Sequence, residues 1–244
     1  MRSASKTALR KSGRGGPERA GTEIEVKLRI ADRRQLLQRL ARLKAKLTAP
    51  RVHEVNTLYD TADGDLARHG QMLRLRLERP AGRANGAGKA RKIGKRKPEI
   101  SALLTFKGPA KGSKANRPSR YKVREEHEVP IEDHEELPRI LEALGLRPWF
   151  RYEKFRSTFK LPRMSVKLEL DETPIGVFME LEGARGQIKR AAELLGFQGS
   201  DYINKSYGAL FMEARGRFRA RAGASQVEPT PFSGLPDMLF PRSK

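Results

Sequence analysis

The chain has 244 residues, with 51 Lys and Arg against 29 Asp and Glu, and a formal net charge of +22. It contains no cysteine, which excludes a disulfide scaffold, thiol catalysis and Cys-based zinc or iron–sulfur centres. It has no apolar run of membrane-spanning helix length and no N-terminal signal-like stretch, so a cytoplasmic protein without a membrane partner is expected.

In chain order, residues 1–20 are basic and Gly/Ser-rich, which predicts a disordered tail. Residues 23–30 then alternate strictly, with Glu23, Glu25, Lys27 and Arg29 opposing Ile24, Val26, Leu28 and Ile30. That is the period of a strand with one charged face. Asp32 offers an N-cap with Gln35 three residues on, and Leu36, Leu37, Leu40, Leu43 and Leu47 predict an amphipathic helix closed by Pro50. Strands are predicted over 52–60 and 71–79, with Asp63-Gly64-Asp65 as the turn between them. Asp60, Asp63 and Asp65 lack EF-hand spacing and read as turn acids.

Residues 80–99 form a flexible basic insertion, and 107–124 hold seven basic residues and no acid. A strand over 101–107 lies between them, and another follows over 122–131. The next helix covers about 134–144, with Pro138 in its first turn and Gly145 as its stop. Strands near 152–161, 164–171 and 176–183 precede a helix over 185–195, ended by Gly196, and a last helix near 204–214. Residues 214–244 read as a basic, Pro-containing tail. The domain proper is therefore 21–213, mainly β in an α+β arrangement with three or four helices. The basic segments 1–20, 80–99, 107–124 and 214–244 carry the whole charge excess, and the rest of the chain sums to zero. Both tails are expected to be dispensable for activity. Glu23–Leu47 and Glu126–Leu146 each pass from a Glu-x-Glu strand into a Leu-rich helix, as an internal duplication would.

The informative charge is the balanced kind. Glu23/Glu25/Lys27, Arg74/Arg76, Arg124/Glu126/Glu128, Lys154/Arg156, Lys167/Glu169/Asp171 and Glu180/Glu182 all stand at i, i+2 spacing on predicted strands. Such faces can be the wet side of an open sheet. Turned inward in a closed barrel, they would need a ligand, because isolated buried charges are prohibitively costly. Carboxylates hold a hard cation through oxygen, while Arg and Lys bind phosphate oxygens. A polyphosphate with its divalent metal satisfies both sets. No phosphate-loop motif G-x-x-x-x-G-K-[ST] is present, and the four His have no ligand spacing.

Glu23-Ile24-Glu25-Val26-Lys27 resembles the ExExK signature of the CYTH, or triphosphate tunnel metalloenzyme, family. Further matching pieces follow in order: Asn56–Thr61, Leu73–Arg76, Leu104–Pro109, Arg124–Glu128, Lys154–Arg156, Leu170–Glu172, Gly176–Glu182 and Ser206-Tyr207. The chain departs from the pattern in its long 80–99 connection and in reading Pro174-Ile175-Gly176 where a Leu-Gly pair is usual.

The resemblance implies an eight-stranded antiparallel barrel forming a tunnel with a charged interior and helices packed outside. It implies one or two Mg²⁺ or Mn²⁺ ions managed by Glu23, Glu25, Asp171, Glu180 and Glu182, with Glu126 and Glu128 as lesser candidates. It implies triphosphate binding by Lys27, Arg74, Arg76, Lys107, Arg124, Lys154 and Arg156, with Lys205 as a further contact. Glu23, Glu25 and Lys27 would be the catalytic set.

The expected activity is metal-dependent hydrolysis of an inorganic or organic triphosphate. The class IV adenylyl cyclase reaction, ATP to cyclic AMP and pyrophosphate, uses the same tunnel. A reading of a different class is a nucleic-acid or polyphosphate binding module working through the basic tails and loop, marked by steep salt dependence. Only Phe106 and Tyr121 are aromatic within 80–124, which gives RNA few stacking platforms. Monomer and homodimer are both compatible with the pattern.

Overall fold

The computed structural model describes residues 21–81, 100–110, 120–221 and 238–240. The expected basic tail 1–20, nearly all of the insertion 80–99, and residues 111–119, 222–237 and 241–244 lie outside the described residues.

Eight strands close into one barrel: β1 (Gly21–Ile30), β2 (Lys46–Thr61), β3 (Met72–Pro80), β4 (Ser101–Lys107), β5 (Lys122–Ile131), β6 (Leu146–Lys160), β7 (Lys167–Thr173) and β8 (Gly176–Glu182). Their order around the ring is β1-β5-β4-β3-β2-β6-β7-β8, and every neighbouring pair is antiparallel. Closure removes the unpaired edges an open sheet would expose. Exchanging β1–β4 for β5–β8 maps this ring onto itself, so the two Glu-x-Glu strands are topological counterparts, as a duplication requires.

Helices α1 (Arg33–Arg42), α2 (Asp65–Arg68), α3 (Leu137–Ala143), α4 (Arg185–Leu194) and α5 (Tyr207–Arg221) pack outside. The apolar faces of β1, β7 and β8 supply Val26, Leu28, Leu168, Leu170, Met179 and Leu181 to the largest core. Helices α1 and α4 cover it with Leu36, Leu40, Ile188, Ala191, Ala192 and Leu195. A second core sets Leu141 of α3 against Tyr59, Leu75 and Ala102. The apolar half of each alternation therefore faces outward under helices, and the charged half is left to line the interior. Among the described residues no helix is long and apolar enough to cross a membrane.

Several boundaries differ from the sequence expectation. Asp32 caps α1 as predicted, accepting from the amides of Arg34 at 2.8 Å and Gln35 at 3.1 Å. The helix nevertheless stops at Arg42, because Lys44 turns into the left-handed region with φ 55°. Leu47 and Pro50 then belong to β2, where register shifts between Leu47 and Val52 accommodate the proline. Leu47 is more than half exposed rather than part of the helix stripe. The turn at Asp63–Asp65 continues into the single-turn α2. Asp60 organises it by accepting from the amides of Thr61, Leu66 and Ala67, so it is a turn acid. Gly196 ends α4 with φ 85°, and a Cβ there would lie 2.0 Å from Arg39 Nη1.

The C-terminal region is more ordered than a tail. Helix α5 continues to Arg221, and Met238 returns to pair with Tyr152 of β6. Met238 is buried against Phe150, Tyr152, Phe178, Tyr207 and Leu210, an apolar cluster at one end of the barrel interior.

Candidate active site

Inward positions of seven of the eight strands, all but β2, converge on a cavity of about 140 Å³. Apart from Met72, Tyr152, Ser206 and Tyr207, every residue lining it is charged. Cross-strand register interleaves the signs. Lys27 faces Glu180 and Glu25 faces Glu182 across β1–β8, Glu23 faces Arg124 and Glu25 faces Lys122 across β1–β5, and Lys107 faces Glu126 across β4–β5.

At the floor, both oxygens of Asp171 are taken. Arg156 donates through Nε to Oδ1 and through Nη2 to Oδ2, each at 2.6 Å. Lys154 donates to Oδ2 at 2.9 Å, and the Tyr207 hydroxyl donates to the same oxygen at 2.7 Å. Arg156 also meets Glu169 at 2.6 Å and Glu180 at 2.5 Å. Glu54, fully buried, lies 3.3 Å from Lys154 and 3.4 Å from Arg156. Such pairing is what makes these charges tolerable out of water.

Further along, Lys27 joins Glu25 and Glu180, each at 3.0 Å, and Lys122 meets Glu25 at 3.1 Å. Lys107 bridges Glu23 at 2.5 Å and Glu126 at 3.0 Å. Arg74 donates to Thr105, whose hydroxyl donates to Glu128. Arg76 pairs with Glu78 at 3.2 Å and approaches Glu128 at 3.7 Å. Lys167, Glu182 and Glu128 are the more exposed members and form the rim.

Protonation follows this geometry. Burial opposes ionisation of Glu25, yet the ammonium groups of Lys27 and Lys122 outweigh it and hold the carboxyl far below its usual range. Burial likewise opposes the charge on Lys27, but Glu180 and Glu25 raise its pKa well above normal. Burial pushes Lys122 down to about 8, with Glu25 only partly offsetting it and Lys27, Arg124 and Lys107 adding to the fall. Burial pushes Glu126 up to about 7, against the pull of Lys107 and with repulsion from Glu23.

Among the described residues, the Nε–H groups of Arg74, Arg76 and Arg124 are buried without a hydrogen-bond partner. Buried donors of this kind are rare. An anion with several oxygens is the ligand that would satisfy them.

The structure thus brings together Glu23, Glu25, Lys27, Arg74, Arg76, Lys107, Glu126, Glu128, Lys154, Arg156, Glu180 and Glu182 around one cavity. Arg124 shares the inward face of β5 beside Lys122 without reaching the cavity wall. Asp171 lies beneath the lining, its carboxylate consumed by two cations and a phenol. Lys205 is outside: it pairs with Glu213 on α5 and is half exposed. Sequence reading missed Glu54, Lys122, Lys167, Glu169 and Tyr152. Lys167 and Glu169 carried the alternation signal, as did Lys122 two residues before Arg124. Glu54 stood alone among Val52, His53 and Val55 and carried none.

The carboxylates are all-oxygen donors of the kind a hard divalent cation takes. No three of them among the described residues converge into a ready-made cage. Mg²⁺ is commonly shared between one or two carboxylates and substrate phosphates, so the donor set fits it. Glu25 and Glu182, register partners on β1 and β8, are the pair best placed for that role.

Comparison with known proteins agrees with this arrangement. The CYTH domain model matches residues 21–207. A candidate adenylate cyclase of Methanocaldococcus jannaschii is 26% identical over 173 residues, covering 71% of this chain and 83% of that protein. A solved structure of a candidate adenylate cyclase from Vibrio parahaemolyticus has a TM-score of 0.61 at 20% identity, covering 80% of this chain and 99% of that one. A Pyrococcus horikoshii protein gives a TM-score of 0.58 at 23% identity, covering 79% and 99%. At these identities the two structures speak for the fold. The family match runs from the first strand to Tyr207, across every strand that lines the cavity, and this chain belongs to the CYTH domain family.

Proposed function

We propose that the chain hydrolyses a triphosphate, inorganic or organic, inside the barrel in a metal-dependent reaction. The observation that carries this reading is the pair of buried, unpartnered Nε–H donors on Arg74 and Arg76 within a lining of alternating Lys, Arg and Glu, with a third on Arg124 beside it.

Arg74, Arg76, Lys107, Lys154 and Arg156 present donors from β3, β4 and β6, and so grip a phosphate chain from several sides. Lys27 and Lys107 are held by carboxylates in the structure, and phosphate oxygens would replace those partners. Mg²⁺ or Mn²⁺, held by Glu25 and Glu182 with Glu23 and Glu180 nearby, would supply charge neutralisation and an activated water. Glu126, with its carboxyl near neutrality, is suited to orient water and accept its proton through Oε. Phe150, Tyr152, Phe178 and Tyr207 form a buried cluster, of which Tyr152 and Tyr207 reach the cavity wall.

A second reading, cyclisation of ATP, draws on the adenylate cyclase designation of the M. jannaschii relative. It requires a slot for adenine, and the almost wholly charged lining favours the phosphate chain alone. Product analysis tests both. The protein is incubated with inorganic triphosphate, ATP or thiamine triphosphate, plus Mg²⁺ or Mn²⁺. Orthophosphate release is the expected result. Cyclic AMP with pyrophosphate would establish the cyclase instead, and no turnover of any of the three would overturn both.

A further inference from the structure

The CYTH match ends at Tyr207, yet Met238, Leu239 and Phe240 lie against the barrel. Strand β6 begins at Leu146, whereas its pairing with β7 begins only at Phe155. The earlier part of β6 therefore has an open side. Met238 fills it in parallel: its amide donates to Arg151 O at 2.8 Å, and the Glu153 amide donates to Met238 O at 2.9 Å. This is strand addition performed by the chain on itself. The side chains lock it further. Met238 is 1% exposed, and the Phe240 ring sits 5.1 Å from that of Phe155.

Met238 packs in one cluster with Tyr152 and Tyr207, whose rings are 6.1 Å apart and which both line the cavity. Tyr207 donates to Asp171, the carboxylate that fixes Lys154 and Arg156. Tyr152 lines the cavity together with Arg74. Tyr207 thus braces, through Asp171, two of the cavity's cations, and Met238 shares its cluster and bridges to Tyr152.

We infer that Met238–Phe240 is a positioning strap, docked by a parallel β-bridge at Met238, that fixes Tyr152 and Tyr207 and, through Tyr207 and Asp171, the cations Lys154 and Arg156 of the barrel. The effect on affinity rests on the phosphate reading above; the docking of the strap does not.

The test compares the full chain with one ending at Asp237, using calorimetric binding of inorganic tripolyphosphate without metal, well below either melting point. The truncated chain is expected to keep its barrel by circular dichroism and to bind about ten-fold more weakly or worse, as small misplacements of binding groups do. Met238→Asp should behave the same way, Met238→Leu should bind as the parent does, and a peptide of residues 236–244 should restore affinity in trans. A folded truncated chain with unchanged affinity overturns the positioning role. Two readouts stand apart from phosphate binding: hydrogen exchange at the Glu153 amide, expected to accelerate on truncation, and the ring-proton shifts of Tyr152 and Tyr207, expected to move. If the full chain itself binds no tripolyphosphate, the phosphate reading fails, and these two decide the strap. Unchanged exchange overturns the docking, and unmoved tyrosine shifts overturn the hold on the site.

Discussion

Arg156 and Asp171 are register partners across β6 and β7 and are joined through both prongs of the guanidinium, each at 2.6 Å. Asp171 also takes Lys154 and Tyr207, so two cations and a phenol already occupy its carboxylate. In this arrangement it anchors Arg156 and Lys154.

Asp171→Asn should therefore act on stability first. It leaves Arg156 and Lys154 buried with a weakened partner, a change that costs about 3–5 kcal/mol in comparable buried pairs. Urea unfolding is the measurement, and a loss below about 1 kcal/mol would return Asp171 to the metal-ligand set.

Glu182→Gln separates the metal role from the fold. Glu182 sits at the rim with its side chain 35% exposed, so the variant should remain folded. Turnover should fall about 100-fold or more, the scale of losing a group that stabilises transition-state charge, and the Mg²⁺ or Mn²⁺ concentration for half-activity should rise. An unaltered metal titration would remove Glu182 from the site.

Arg74→Ala should weaken tripolyphosphate binding by about 1.5–3 kcal/mol, the worth of a charge-assisted hydrogen bond. Lys205→Ala should leave it unchanged, since Lys205 pairs outside with Glu213. Equal effects of the two substitutions in calorimetry would contradict the placement of both.

The pH dependence has a defined sign. Glu126 gains a negative charge as pH rises through about 7, and Lys122 loses its positive charge through about 8. Both changes make the interior less attractive to an anion, so affinity for tripolyphosphate should fall between pH 6.5 and 8.5. In Lys122→Arg the upper part of that fall should disappear, because guanidinium stays charged. Ionisation of the ligand is common to both proteins, and identical pH profiles would exclude Lys122 as a contributor. For stability the sign is opposite at Lys122. Its folded pKa lies below the unfolded value of 10.5, so the unfolded chain binds more protons between about 8 and 10.5, and this group favours folding increasingly as pH rises across that window.

Much of this was legible in the residues themselves. A period of two fixes which side chains share a face, so Glu23, Glu25 and Lys27, or Arg74 and Arg76, had to lie together whatever the fold. The run of Leu in α1, the Asp32 cap and the Gly196 stop are local effects and read correctly. The end of α1 did not, because Lys44 adopts a left-handed conformation that sequence assigns to Gly or Asn. Strand β6 starts before its expected residue because it pairs with β2 along its whole length, a long-range term absent from any local window.

The sequence by itself determined that a strand-rich body carries balanced charge on one face of nearly every strand. Only the tertiary structure decided which of those charges share a cavity and which are spent on each other. Ring closure and cross-strand register set Lys27 against Glu180 and Arg156 against Asp171, and neither pairing has a signature in sequence spacing. The net charge of +22 pointed outward to the basic segments, while the chemistry lies in an interior where desolvation makes each charge count. Glu54 and Met238 mark the limit of local reading: one is a lone acid, the other a methionine in an apparent tail. Both matter because distant segments bury them, the first among cations and the second among tyrosines.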